Sequence, residues 1–126
     1  MTRIEAKVAD EWESGTDCTV RLRLKNRGTT ETCRTGVLDS PGNSWAWGDT
    51  EVYDFSSYPH CDNFQPREDL QFKFHLDSSC IDHMQLSWLR VYFGRKYFWW
   101  SGGHWFNPSS NWVDFDYMGT DDPAGK

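Results

Sequence analysis

Hydrophobic and polar residues alternate with a period of two in five separate stretches of the chain. In CTVRLRLKN, Val20, Leu22 and Leu24 fall on one side and Arg21, Arg23 and Lys25 on the other, and the run stops at the turn signal Asn26-Arg27-Gly28. The same period puts Ile4, Ala6 and Val8 on one face of RIEAKV, and Phe72, Phe74 and Leu76 on one face of LQFKFHL with Lys73 and His75 opposite. It recurs in LSWLRVYF, with Leu89, Val91 and Phe93 together, and in WVDFDYM, where Val113, Phe115 and Tyr117 alternate with Asp114 and Asp116. TETCRTGVL and TEVYDFSSY are weaker strand candidates. No segment of about ten residues or more carries the 3.6-residue period of an amphipathic helix. Seven or eight short strands, joined by connections rich in Gly, Pro, Ser and Asp, predict an all-β fold, an antiparallel β-sandwich. There is no internal repeat. One domain is expected over residues 1–118, with a flexible tail over 119–126.

Composition agrees with the pattern. The 126 residues include eight Trp, eight Phe and five Tyr, a 17% aromatic share that favours strands. Thirteen basic against 19 acidic residues give a formal charge of −6, which argues against nucleic acid as a partner, because phosphate binding needs concentrated Lys and Arg. No apolar run approaches a membrane-spanning helix, and residues 1–10 lack the apolar core of a secretory signal. Cys18, Cys33, Cys61 and Cys80 are separated by 14, 27 and 18 residues, spacings that match no zinc pattern. They are expected to form two disulfides in a secreted domain whose signal peptide has been removed and whose Met1 is an artificial start. The three connectivities are equal at this level, and no Asn-X-Ser/Thr acceptor is present.

One resemblance covers residues 3–106. SGTDCTVRLRLKN, with Gly15-Thr16-Asp17 leading into an alternating strand, resembles the signature of PLAT (lipoxygenase-homology) domains. WAWGDTEVYDF, with Trp47-Gly48 leading to Asp54-Phe55, is similar to a later strand of that family. FKFHLDSS, with Asp77, Ser78 and Ser79, resembles a strand that ends in His-Asp-Asn-Ser. LSWLRVYF and KYFWWSGGHWF resemble the last two core strands. The chain departs from the pattern in three places: Leu76 breaks the His-Asp pair, Met84 replaces a Trp, and residues 107–118 add a strand. The resemblance implies a non-catalytic accessory module. Loops at one end of its sandwich would dip into a lipid surface, bring a lipase-like partner to its substrate, or bind another protein, in some members with calcium.

Several residue groups are candidates for that work. Trp12, Trp45 and Trp47 lie in polar loops, where an amphipathic ring suits a membrane interface. Asp10, Glu11, Glu13 and Asp17 surround the Gly-Thr-Asp turn, and Asp49 and Glu51 flank the Trp45/Trp47 loop. Of these, Glu13, Asp17, Asp49 and Glu51 are the expected calcium ligands if the ion binds, and no cofactor is otherwise required. In RKYFWWSGGHWF, Tyr97 and Trp99 are expected in the core and Trp105 at the strand end. Phe98 and Trp100 then stand on the opposite face, where either the extra strand 112–117 covers them, with Trp112 facing the same way, or they remain as an aromatic patch for ligand or membrane. Arg21, Arg23 and Lys25 form a basic stripe that Lys73, His75 and Arg90 extend if their strands share the sheet, a surface for an acidic partner or anionic headgroups.

Two alternative readings use the same aromatic surplus. One is a sugar-binding module built from Trp99, Trp100 and Trp105 with His104, Asn107 and Asn111. The other is a carrier of a small apolar ligand (lipid, sterol or pigment), at the sandwich edge or between protomers. The four histidines sit in dissimilar contexts, and neither Gly-X-Ser-X-Gly nor His-Glu-X-X-His occurs, so no enzyme is expected.

Overall fold

The computed structural model describes residues 1–10, 18–38, 45–46, 48–55, 57, 60–77, 83–108 and 112–121. Among them are nine strands and no helix: β1 (Arg3–Val8), β2 (Val20–Asn26), β3 (Thr32–Leu38), β4 (Thr50–Asp54), β5 (Leu70–Leu76), β6 (Met84–Phe93), β7 (Lys96–Phe106), β8 (Val113–Asp116) and β9 (Gly119–Asp121). A five-stranded sheet in the order β4-β1-β6-β7-β9 packs on a four-stranded sheet in the order β3-β2-β5-β8, and every pairing is antiparallel. The chain is an all-β sandwich.

The alternation read from the sequence becomes the core. Ile4, Ala6 and Val8 of β1, Val20, Leu22 and Leu24 of β2, and Phe72, Phe74 and Leu76 of β5 are all buried, while the residues between them are half-exposed. In β6 the inward set is Met84, Leu86, Leu89 and Val91. Leu86 and Leu89 are three apart because the register shifts between Leu86 and Trp88, which keeps both apolar side chains inside. Rings from both sheets and from β8 fill the middle: Phe74 lies 4.4 Å from Phe106, Phe115 lies 5.5 Å from Phe72, and Trp100 lies 5.0 Å from Phe115.

The faces of β7 are the reverse of the expectation. Phe98 is 3% exposed and belongs to the core, and Trp100 packs against that core, whereas Tyr97 and Trp99 point outward. Register with β6 decides this: Phe98 and Trp100 pair with the inward Val91 and Leu89, while Trp99 and Tyr97 pair with Arg90 and Tyr92. Paired residues share a face, so the apolar side of β6 selects the apolar side of β7. Trp112 does not face Phe98 or Trp100. It stands on the outer side of the other sheet, with its ring 4.9 Å from His75.

The expected tail also begins too early. Gly119–Asp121 is the edge strand β9, paired with β7 through Tyr97↔Asp121, Phe98↔Thr120 and Trp99↔Gly119. Glycine is required at 119 because the Trp99 indole lies flat on this backbone; a Cβ there would sit 2.7–2.9 Å from three indole atoms.

The Cys33–Cys61 disulfide ties β3 to the long connection between β4 and β5. Cys18 is also disulfide-bonded, and Cys80 lies outside the described residues. Near the Cys33–Cys61 bridge, His60 Nε2 contacts the Arg34 carbonyl and the His60 N–H donates to Met1 O at 3.0 Å, so the connection is held at several points.

Two stability predictions follow from these contacts. Phe98→Ala should cost about 3–5 kcal/mol in urea unfolding and Tyr97→Ala about 1 kcal/mol or less; the reverse ranking would contradict the register. The double variant Cys33→Ala/Cys61→Ala opens a loop with a sequence separation of 28 and should lose about 3–4 kcal/mol, lowering Tm by about 10 °C or more. Differential scanning calorimetry measures this, and an unchanged Tm would mean that the bridge does not constrain the unfolded chain.

Candidate binding surfaces

Backbone hydrogen bonds gather several strand ends at one end of the sandwich. Ala9 N–H donates to Gln85 O at 2.9 Å, Gly48 N–H to Ala9 O at 3.1 Å, Val8 N–H to Asp49 O at 2.9 Å, and Asp77 N–H to Thr19 O at 3.1 Å. The segments after β1, before β4, after β5 and after β7 therefore start or finish here. Of the residues expected to act at this end, Trp12, Trp47, Glu13 and Asp17 lie outside the described residues.

Trp45 and Glu51 have structural roles instead of the exposed ones expected. Trp45 is 2% exposed. Its indole N–H donates to Leu38 O at 3.0 Å, its backbone N–H donates to Glu51 Oε1 at 2.5 Å, and its ring stacks on Tyr53 with centroids 6.0 Å apart. These contacts hold Trp45 at φ 60°, an uncommon conformation for a bulky residue, and make it the lid of the core. Glu51 is buried with that oxygen already engaged. Asp49 and Asp10 are exposed at the same end. Among the described residues the grouping close enough to share a metal ion is Cys33, His60 and Cys61; its two sulfurs are joined as a disulfide and offer no thiolate.

Trp105, expected to cap the strand end, is 40% exposed. It pairs with Gln85, the residue whose carbonyl receives Ala9, and its ring meets His83 edge-on at 4.8 Å. The set Trp99, Trp100, Trp105, His104 and Asn107 does not converge. Trp100 turns inward while Trp99 turns outward, and Asn111 lies outside the described residues.

The outer face of the five-stranded sheet carries an aromatic group that the alternation argument missed. Trp88, Arg90, Tyr97, Trp99 and Ser101 are among the residues that line an open cleft of about 200 Å³. The Arg90 guanidinium lies 4.5 Å from the Trp88 ring centre and 5.5 Å from that of Tyr97. Tyr97 Oη donates to Asp121 at 3.0 Å. Beside the cleft, Tyr92 Oη donates to Glu5 Oε1 at 2.7 Å; burial first, and then this bond to a carboxylate, push the phenol's pKa above its ordinary value. The signal was present in LSWLRVYF, where Trp88, Arg90 and Tyr92 alternate with Leu89, Val91 and Phe93.

The outer face of the four-stranded sheet is basic. Arg21, Arg23 and Lys25 pair with His75, Lys73 and Gln71 of β5, and Arg34 of β3 pairs with Arg23. Arg90 belongs to the other sheet and does not extend this stripe. Arg23 lies over Trp112 at 4.5 Å; burial and then the neighbouring Arg34 lower its pKa, against the opposing pull of Asp114. Lys73 bonds Asp114 at 2.9 Å, and Arg27 is paired with Asp116.

No protein-family model matches the chain, and no curated protein matches it. Solved structures do. An alpha toxin from Clostridium absonum superposes with a TM-score of 0.71 at 16% identity, over 90% of this chain and 30% of the toxin. Two LOX variants superpose with TM-scores of 0.67 and 0.69 at 15% and 14% identity, each over 91% of this chain and 16% of the LOX. The chain thus spans 30% or 16% of the length of these proteins, and at such identities the likeness is one of fold alone. Its two packed antiparallel sheets form a PLAT-like β-sandwich.

Proposed function

We propose that the chain is a non-catalytic, secreted binding module that docks on a lipid surface through the end of the sandwich bearing Trp105. The observation that carries this reading is the position of Trp105: a large indole, 40% exposed, level with the strand ends from which the Trp12 and Trp47 segments depart. An indole with an apolar body and one N–H donor is suited to the boundary between headgroups and acyl chains. The exposed Asp10 and Asp49, with Glu13 and Asp17 on the neighbouring segment, add carboxylate donors for a calcium ion shared with lipid phosphates. The likeness in fold to parts of an alpha toxin and of LOX supports an accessory module over an independent enzyme. The disulfides fit an oxidising compartment, and among the described residues no helix is long and apolar enough to cross a membrane.

The basic face with Arg21, Arg23 and Lys25 can follow an anionic bilayer once the end has docked, since each Lys or Arg near such a surface contributes about 1 kcal/mol. The rings of Phe72, Phe74, Phe106 and Phe115 occupy the space between the sheets, so a carried apolar ligand would have to sit at the sandwich edge or between protomers.

The protein should therefore co-sediment with phosphatidylcholine/phosphatidylserine vesicles and show a blue shift of tryptophan emission. Trp105→Ser should weaken vesicle binding about fivefold, corresponding to about 1 kcal/mol. No co-sedimentation, with or without calcium, would remove the lipid reading. Millimolar calcium should raise Tm by about 3–6 °C, and Asp49→Asn should abolish that rise; a Tm indifferent to calcium would remove the ion from the mechanism and leave the tryptophans to act alone.

A further inference from the structure

We propose a second binding site on the outer face of the five-stranded sheet: the open cleft between β6 and β7 takes one pyranose ring of a neutral saccharide, stacked on Trp99 and hydrogen-bonded by Arg90 and Ser101. It is separate from the lipid-docking end and does not depend on that reading.

Trp99 supplies a rigid platform. Its indole is backed by the Gly119 backbone, close enough that no side chain fits between them, and the ring lines the cleft on its other side. A flat ring fixed on a strand loses little conformational freedom when a ligand stacks on it. The C–H face of a sugar ring is the natural complement to such a surface, being apolar and flat while its hydroxyls project from the rim.

Arg90 supplies polar contacts at that rim. Its guanidinium is positioned over Trp88 and Tyr97, is hydrogen-bonded to Tyr92, and lies 3.8 Å from Glu5 Oε1, too far for a second hydrogen bond; these contacts use few of its five N–H donors. N–H donors therefore remain for ligand oxygens. Ser101, paired with Trp88 across the sheet, places a hydroxyl on the same lining.

Size and charge select the ligand. About 200 Å³ falls below the roughly 300–1,000 Å³ of clefts that enclose drug-sized molecules, and an open cleft of that size suits one ring lying on its face. An acyl chain would cover the guanidinium with methylenes and remove its water without replacing the hydrogen bonds, which is costly. Glu5 and Asp54 together face Arg3 and Arg90, two carboxylates for two guanidiniums, and the chain as a whole carries −6, so an anionic ligand gains little here.

The test is a two-dimensional NMR titration of the whole 15N-labelled chain with cellotetraose, laminaritetraose, mannotetraose and chitotetraose, each to about 10 mM. At least one should shift the indole N–H signals of Trp88 and Trp99, and not that of Trp112 on the opposite sheet, with a Kd of about 0.1–1 mM. For that sugar, Trp99→Ala should weaken binding at least about tenfold. Arg90→Gln removes the guanidinium donors and should weaken binding severalfold, whereas Trp105→Ser should leave it unchanged. The titration of the unsubstituted protein decides the matter even if Trp99→Ala unfolds. If none of the four moves Trp88 and Trp99, or if Trp112 moves equally, the proposal is wrong. If phosphatidylcholine vesicles move these two signals and no sugar does, the face belongs to lipid and the saccharide site is overturned.

Discussion

The two-residue turn Gly94-Arg95 determines what both faces of the five-stranded sheet are made of. Phe93 pairs with Lys96 across it, and Gly94 adopts φ 67°, the positive value that the first central position of such a tight hairpin requires. From that closure the rest is arithmetic: Tyr92 meets Tyr97, Val91 meets Phe98, Arg90 meets Trp99 and Leu89 meets Trp100. A slip of one residue would exchange the faces, sending Tyr97 and Trp99 into the core and Phe98 and Trp100 to solvent. Aromatic residues on both sides make the slip less costly in apolar area than in an ordinary strand. The turn and the aliphatic side of β6 therefore carry the specificity that binary patterning normally supplies.

That explains where the sequence was readable and where it was not. In β1, β2 and β5 the two faces differ sharply in polarity, as Leu22 does from Arg23, and alternation alone places every side chain. In KYFWW both phases are aromatic, so alternation offers two solutions of equal merit, and only the hairpin pairing, a non-local fact, chooses between them. Trp45 is another non-local case. A polar loop surrounds it in sequence, yet its burial rests on the Leu38 carbonyl and the Glu51 carboxylate, seven and six residues away. β9 has too little apolar pattern to be seen at all; it exists because a glycine at 119 lets the Trp99 ring lie on the sheet edge. The Cys33–Cys61 pairing depends on where the connection between β4 and β5 returns, which spacing does not encode.

Charge follows the same division between local and assembled properties. A net charge of −6 describes an acidic chain, but assembly of β2 beside β5 and β3 collects Arg21, Arg23, Lys25, Lys73 and Arg34 on one face. The acids Asp114 and Asp116 of the neighbouring β8 answer two of the nearby cations, Lys73 and Arg27. Arg23 is stacked on Trp112, and its charge is disfavoured first by burial and then by the nearby Arg34. An acidic partner or headgroup placed there would relieve that repulsion.

What a surface loses in conformational freedom on binding depends on how firmly its side chains are already held. The β6–β7 cleft sits within the sheet, on strands whose partners fix its rings before any ligand arrives: Trp99 by Gly119, Tyr97 by Asp121, and Arg90 by Trp88. A preformed surface of this kind can hold a single ring through few contacts, because little of their free energy is lost to ordering the protein.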